Sequence, residues 1–166
     1  KNMFCQDCGA KLALKFCENE GLVPYCNSCG EFKFPPFKTA VSMVVVNKAQ
    51  DRVLIAKHTN GDYLLNAGYV KKGESAEKAI VREIREETGL NATKYKYMSS
   101  RYHEPRNVLM LNFIVVVSEG ELKLNTEEIS EAKWCTFDEA LETVCHDSTA
   151  EYFLKNAVAE LKKNRI

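Results

Sequence analysis

Hydrophobic and polar residues follow different patterns on the two sides of Pro35-Pro36. Before this dipeptide the apolar residues form short, broken segments, whereas after it they form runs typical of strands and amphipathic helices. Residues 41–47 and 52–57 are strand-like and are joined by the polar turn 48–51, which predicts a hairpin. The first of these runs is typical of a buried strand. Further strands are predicted at residues 63–65, 91–101, 108–118 and 131–136.

Residues 75–88 carry a well-bounded helical signal. Ser75 suits the N-cap, because its hydroxyl can accept a hydrogen bond from the first turn, and Gly89 stands where a helix is expected to end. Between them an apolar stripe recurs at helical spacing, formed by Ala76, Ala79, Ile80 and Ile84. We therefore predict one helix in the middle of the strands.

Two more helices complete the predicted elements. Residues 138–142 form a short helix with Asp138 as its N-cap, and residues 148–163 form a longer amphipathic helix. Strands outnumber helices and enclose the central helix, so the predicted fold class is α/β or α+β, with helices packed on a mixed sheet. We expect two domains, at residues 1–34 and 37–166.

Composition favours a soluble protein of the cytoplasm. Lys plus Arg and Asp plus Glu both number 23, and the resulting zero net charge argues against a general nucleic-acid coat or a membrane-surface binder. No apolar run approaches the roughly 18 residues of a membrane span. The first residues lack an apolar stretch followed by a cleavage site, so no secretory signal is expected.

Four of the seven cysteines form two pairs, Cys5-x₂-Cys8 and Cys26-x₂-Cys29, separated by 17 residues. Two thiolates on one tight turn reach the same ion, and two such turns complete a tetrahedron. Ordinary thiols or a single redox pair are the alternative, but the doubled spacing favours zinc. A site filled by four cysteines is closed and therefore structural. The remaining cysteines are not expected to be ligands: Cys17, Cys135 and Cys145.

The central helix is acidic on one side. Glu83, Glu86 and Glu87 lie three or four residues apart and share one face. A solvated acidic face is the plain alternative, but the frame around these residues favours a site for Mg²⁺ or Mn²⁺, which prefer hard oxygen ligands. Such ions bridge to phosphates and lower the pKa of an attacking water. That frame consists of Gly68, Glu74, Arg82, Ile84, Gly89 and Leu90.

These residues resemble the Nudix box, G-x₅-E-x₇-R-E-U-x-E-E-x-G-U with U a bulky aliphatic residue, and match every fixed place of it. The resemblance implies a Nudix-type mixed sheet sandwiched by helices and a pyrophosphohydrolase activity. It further implies that Glu83, Glu86 and Glu87 bind divalent cations. Glu74 would support the loop or join the metal shell, and Arg82 would orient a glutamate. We favour Glu86 as the general base.

A zinc ribbon ahead of such a domain resembles the NADH pyrophosphatase branch of that family. Ala67-Gly68-Tyr69 is similar to its Ala-Gly-Phe, which makes Tyr69 a candidate to stack on a base, with a core tyrosine as the alternative. Residues 127–134 resemble a segment that supplies another metal-binding glutamate, here Glu128. Ala150 stands where that branch has a small residue near the diphosphate.

One segment departs from that branch. Its Ser-Gln-Pro-Trp-Pro-Phe-Pro motif is replaced by residues 100–107, in which Ser100 alone fits. His103 stands in the place of the tryptophan, either stacking on or donating to the substrate, or lying exposed in a loop. Specificity for NAD(H) is therefore open.

Three functions remain after this comparison. The first is hydrolysis of a nucleoside diphosphate derivative, such as NAD(H) or ADP-ribose, to a mononucleotide and a second phosphate. The second is hydrolysis of an NTP, a dNTP or a capped RNA 5′ end. The third is a binding module for nucleic acid or protein with an inactive Nudix domain, for which three lysines of the ribbon are available: Lys11, Lys15 and Lys33. The resemblance also implies a homodimer.

Overall fold

A small antiparallel sheet forms the N-terminal part of the chain. The computed structural model describes residues 3–166, and the chain divides into two compact units, Lys1–Phe37 and Lys38–Ile166. The sheet of the first unit has the order β1-β2-β3, with β1 at Ala13–Cys17, β2 at Gly21–Cys26 and β3 at Glu31–Phe32. Within residues 3–37 of this unit, the buried hydrophobic residues number only three: Cys5, Val23 and Cys26.

The second unit contains one mixed sheet and three helices. Its strands are β4 Lys38–Val46, β5 Val53–His58, β6 Tyr63–Leu64, β7 Asn66–Tyr69, β8 Ala92–His103, β9 Val108–Val117 and β10 Ile129–Cys135. Its α-helices are α1 Ala76–Thr88, α2 Phe137–Thr143 and α3 Thr149–Leu161, and a 3-10 turn spans Glu104–Arg106. Each strand and helix predicted in this region has a counterpart, and β7 was not predicted.

The sheet has the order β10-β5-β4-β9-β8, with β6 beside β5 and β7 beside β4. Strand β4 runs parallel to β9 over its whole length and antiparallel to β7 from Ala40 to Met43. The predicted hairpin is therefore much shorter than expected, because β4 and β5 pair only at Val46 and Val53. Strand β7 takes the place beside β4 that a longer hairpin would have filled.

Both faces of this sheet are covered. Val41, Met43 and Val45 pack under α1, whereas the alternate residues of β4, Val44 and Val46, pack with residues of α2 and α3. All five are fully buried, as the apolar run predicted. The expected sheet sandwiched by helices is thus confirmed. Within residues 3–166, no helix is long and apolar enough to cross a membrane.

The helix ends follow local capping rules, and one of the predicted N-caps is wrong. The Ser75 hydroxyl accepts from the backbone N–H of Lys78, and Gly89 ends α1 in the left-handed region at φ 73°, as predicted. The N-cap of α2 is Thr136 and not Asp138, so that prediction was wrong. Thr136 is extended and forms a reciprocal capping box with Glu139, which places the N-cap two residues earlier than predicted.

Candidate functional site

The four paired cysteines converge in the N-terminal unit. All their Sγ atoms lie within 4.8 Å of one another, with 3.9 Å between Cys5 and Cys29 and 3.5 Å between Cys8 and Cys26. Zn–S bonds of about 2.3 Å in a tetrahedron place the sulfurs about 3.8 Å apart. The donor set and its spacing therefore fit a structural zinc ion.

Each cysteine pair sits on a tight turn closed by a glycine. The backbone N–H groups of Gly9 and Gly30 donate to the carbonyls of Cys5 and Cys26 at 2.9 and 2.8 Å, and both glycines have φ 74°. A side chain at this φ is disfavoured, which explains the glycine after each pair. A backbone hydrogen bond from Ala10, assisted by the neighbouring thiols, lowers the pKa of Cys8 to about 6.

Helix α1 turns two carboxylates of the second unit inward. Glu83 and Glu87 are 8% and 1% exposed, whereas the Glu86 side chain is 52% exposed. Burial raises the pKa of Glu83 and raises that of Glu87 to about 8, and the charge of Glu128 raises the pKa of both. Acidic groups desolvated next to one another are stabilised by a cation between them.

Arg82 connects the loop between β7 and α1 to the helix. Its guanidinium donates to both oxygens of Glu74, at 2.8 and 2.9 Å, and to the carboxylates of Glu83 and Glu86. The same guanidinium donates to the Tyr69 carbonyl at 3.0 Å. These contacts hold the loop against α1.

Glu74 is the anchor of that loop. Hydrogen bonds from Arg82 and from the backbone of Lys71 lower the pKa of Glu74 to about 2. One Glu74 oxygen accepts from the Lys71 N–H at 3.0 Å, so a single carboxylate ties both the loop and the arginine. Glu74 therefore stays ionised throughout the neutral range.

Strand β7 passes directly over the carboxylates. A Cβ added to Gly68 would lie 2.0 Å from Cδ of Glu83, so any larger residue there would force the Glu83 carboxylate to move. Two residues earlier, Asn66 donates from Nδ2 to Oε2 of Glu87 at 2.6 Å. Asn66 is fully buried and its Oδ1 has no partner. An unpartnered carbonyl oxygen beside buried carboxylates is a donor set that suits Mg²⁺ or Mn²⁺.

Sequence reasoning did not single out Asn66. The signal was a polar residue inside the apolar stretch from Leu64 to Ala67, just ahead of Gly68. Within the described part of the chain, the four cysteines are the group whose ligand atoms already lie within metal-binding distance of one another. The glutamate side chains are divided instead between Arg82 and Asn66.

The substrate-binding candidates lie on the other face of the sheet. Asn66 and Gly68 face α1, so strand alternation turns the Tyr69 side chain to the α3 face. Tyr69 is 50% exposed, with Lys38 Nζ 5.6 Å from its ring centre, so the alternative of a core tyrosine is wrong. Ala150 opens α3 and packs against the core on the same face.

His103 ends β8 and is half-buried. It pairs with Val108, which in turn pairs with Lys38, so register places all three in one row across the sheet. A neighbouring row contains Arg101, whose guanidinium lies 4.8 Å from the Tyr152 ring of α3. Sequence reasoning missed Lys38, Arg101 and Tyr152, because only the pairing of β4 with β7 and β9 and of β9 with β8 places Lys38 and Arg101 on the same face as Tyr69.

A family model described as the NUDIX domain matches residues 36–157. The chain belongs to the Nudix family. Its domain is similar in sequence to two proteins named NAD-capped RNA hydrolase NudC. The one from Vibrio vulnificus (strain CMCP6) is 31% identical over 138 residues, covering 81% of this chain and 51% of that protein. The one from Pseudomonas aeruginosa (strain LESB58) is 34% identical over 140 residues, covering 82% and 49%.

The Nudix fold is also found among solved structures. A crystal structure of a NUDIX hydrolase from Nitrosomonas europaea superposes with a TM-score of 0.67 at 16% identity, covering 97% of this chain and 91% of that chain. At this identity the likeness establishes the fold alone. The present chain spans about half the length of the NudC proteins that it matches.

Proposed function

We propose that this Nudix domain is a pyrophosphohydrolase that uses Mg²⁺ or Mn²⁺ to cleave the diphosphate of a nucleoside diphosphate derivative, such as NAD(H) or ADP-ribose. The products are a mononucleotide and a second phosphate. The observation that carries the proposal is the burial of Glu83 and Glu87 side by side under Gly68. Two buried carboxylates close together destabilise the fold unless a cation binds between them.

The cations are assigned to Glu83, Glu86 and Glu87, with Glu128 as a further ligand. When bound, they would neutralise the phosphates and lower the pKa of an attacking water. Among the three glutamates of α1, Glu86 is the exposed one, so its carboxylate is the one that solvent reaches most easily. We therefore assign it the role of general base. Arg82 and Glu74 hold the loop that follows β7, the strand that contains Gly68 and Tyr69.

The substrate assignment is supported by the face on which Tyr69 lies. Its exposed ring offers a stacking surface, and the ammonium group of Lys38 lies near it. Ala150, a small residue at the start of α3, is assigned to the substrate-binding face with Tyr69, and His103 is assigned to its rim as a stacking or donating group. The names of the NudC relatives are consistent with an NAD-type substrate.

A second candidate substrate is the NAD cap at the 5′ end of an RNA, because the NudC relatives are named as hydrolases of NAD-capped RNA. NTPs and dNTPs remain a further class to be tested. A purely nucleic-acid-binding role is disfavoured by the ribbon lysines. Lys33 Nζ lies 2.6 Å from Asp7 and 2.8 Å from Glu31, and Lys15 Nζ lies over the Tyr25 ring at 3.6 Å.

The N-terminal unit completes the proposal. We assign a structural zinc ion to Cys5, Cys8, Cys26 and Cys29, and expect the zinc ribbon and the Nudix domain to function together in a cytoplasmic homodimer. Analytical ultracentrifugation of the zinc-loaded chain tests the dimer. The homodimer would be rejected if the sedimentation coefficient stayed that of a monomer at all protein concentrations up to 100-fold above the one used in the activity assay.

A substrate panel tests the activity. NADH, NAD, ADP-ribose, diadenosine polyphosphates, dNTPs and an NAD-capped RNA are each incubated with Mg²⁺ or Mn²⁺, and the products are identified by mass. We expect cleavage within the diphosphate and release of a mononucleotide. Cleavage restricted to triphosphates would change the substrate class, and no cleavage of any compound would end the proposal.

A further inference from the structure

Asn66 combines three properties that together require explanation. It is fully buried, its Nδ2 donates to Glu87 at 2.6 Å, and its Oδ1 has no partner. Buried polar atoms almost always have a partner, and leaving a carbonyl unpaired is unfavourable. An apolar residue at this position of β7 would avoid that cost. The sequence instead retains an amide beside the acidic pair.

The orientation of the amide is fixed by its neighbour. In the proposed cation-bound state Glu87 is ionised and accepts hydrogen bonds only, so the amide nitrogen and not the oxygen must face it. Asn66 Oδ1 then points away from the Glu87 carboxylate, but it lies at most the width of one amide group farther from this carboxylate than Nδ2 does. It remains on the α1 face, because strand alternation keeps Asn66 and Gly68 on the side of Glu83 and Glu87.

We propose that Asn66 is a positioning residue of the cation site: Nδ2 fixes the Glu87 carboxylate, and Oδ1 accepts a hydrogen bond from a water held by the cation. This inference rests on the proposed function in so far as the glutamates bind Mg²⁺ or Mn²⁺. Oxygen ligands of such ions are themselves held by hydrogen bonds, and bound Mg²⁺ keeps several waters that require acceptors. Asn66 supplies both kinds of contact from one side chain.

The chain contains a matched control for this residue. Asn112 on β9 is also fully buried, donates from Nδ2 to the Ser42 carbonyl at 3.2 Å, and has an unpartnered Oδ1. Its pairing with Ser42 and Ser99 places it on the α3 face of the sheet, away from the carboxylates. Replacing either asparagine by leucine therefore removes the same groups in a similar environment.

The test measures Mn²⁺ affinity of the full zinc-loaded chain by the electron paramagnetic resonance signal of free Mn²⁺. We expect Asn66→Leu to weaken binding about 10- to 100-fold, the usual effect of losing a residue that holds a metal ligand. Asn112→Leu should leave the affinity within about twofold. Unchanged affinity in Asn66→Leu, or an equal loss in both variants, would overturn the proposal. If circular dichroism shows that a leucine variant does not fold, Asn66→Ala and Asn112→Ala replace the pair.

Hydrolysis of the substrate panel is measured in parallel. A loss of Mn²⁺ affinity in Asn66→Leu, together with no cleavage by the wild type, would support the role of Asn66 and reject the proposed activity. Cleavage by the wild type together with normal Mn²⁺ binding by Asn66→Leu would reject only the role of Asn66. A wild type that binds no Mn²⁺ would reject both.

Discussion

Gly68 lies so close to the Glu83 carboxylate that any side chain in place of Gly68 would force this carboxylate to move. A Cβ at Gly68 would lie 2.0 Å from Cδ and 2.1 Å from Oε1 of Glu83. The backbone conformation of Gly68 is not the reason for a glycine there, since Gly68 is not among the glycines with positive φ. The group that such a side chain would displace is the carboxylate that binds the cation in our proposal.

A Gly68→Ala variant is therefore expected to displace Glu83 and lower both Mn²⁺ affinity and turnover by at least tenfold. Gly120→Ala is the control, because its Cβ would meet only the tip of Leu90 at 3.1 Å. Titration calorimetry with Mn²⁺ and a steady-state assay measure the two effects. Normal cation affinity in Gly68→Ala would show that Glu83 does not bind the cation.

Replacement of Arg82 tests the loop anchor. Arg82→Lys keeps the charge but cannot donate to both oxygens of Glu74 and to Glu83 at the same time. We expect turnover to fall about 10- to 100-fold, as for loss of a residue that orients metal ligands. Arg85→Lys, on the exposed side of the same helix, is the control. Equal activity of both variants would contradict this role.

Glu86→Gln tests the choice of base. Loss of the carboxylate should remove nearly all turnover while the fold and the zinc content stay unchanged, because the side chain is exposed and supports no core contact. Glu77→Gln is the matched control, an exposed acidic residue in the first turn of α1. Retained turnover in Glu86→Gln would discard Glu86 as base but leave the family assignment intact.

Zinc removal tests the role of the cysteines. In the described part of the first unit, only Cys5, Val23 and Cys26 are buried among the hydrophobic residues, and we expect so small a core to need an ion to fold. We expect a zinc chelator to collapse the amide NMR signals of residues 3–37, whereas those of Val41–Val46 in β4 persist. Cys17→Ser should retain one zinc per chain. A chelated ribbon with unchanged signals would contradict a metal-dependent fold.

Acid sensitivity at the start of α3 follows from Glu151. Hydrogen bonds from Lys155 and His146 and from the Asp147 backbone lower the pKa of Glu151 to about 2. A carboxyl whose pKa is lowered by folding stabilises the native state at any pH above the pKa that it has in the unfolded state. This contribution is lost as the pH falls toward 2, the pKa of the folded state. Urea midpoints at pH 6 and pH 3 should therefore differ less in Glu151→Gln than in the wild type. Glu142→Gln, on α2, should keep the wild-type difference.

Local chemistry explains why α1 was predicted almost to the residue. Ser75 and Gly89 determine its ends through hydrogen bonds to nearby backbone groups, and both are visible in the sequence. The Asp138 error has the same local origin, since Thr136 competes for the N-cap and gains Glu139 as a partner. Short-range rules therefore gave the helices and the spacing of the acidic residues.

Long-range pairing explains what was missed. Strand β7 is four residues long and contains glycine, so it carries little strand signal of its own and is held by β4. The position of Arg101 beside Met110 depends on the pairing of β8 with β9, and that of Met110 beside Ala40 on the parallel pairing of β9 with β4. These registers join residues distant in sequence, which no local pattern encodes.

The alternation along β7 separates two tasks within four residues. Asn66 and Gly68 are directed toward the acidic helix, and the ring of Tyr69 toward the opposite surface. Under the proposed function, a dinucleotide held by both would bend around the end of this short strand, with its ring on one side and its phosphates on the other. Variation at Tyr69 can then alter which ring is accepted while the carboxylates keep their positions.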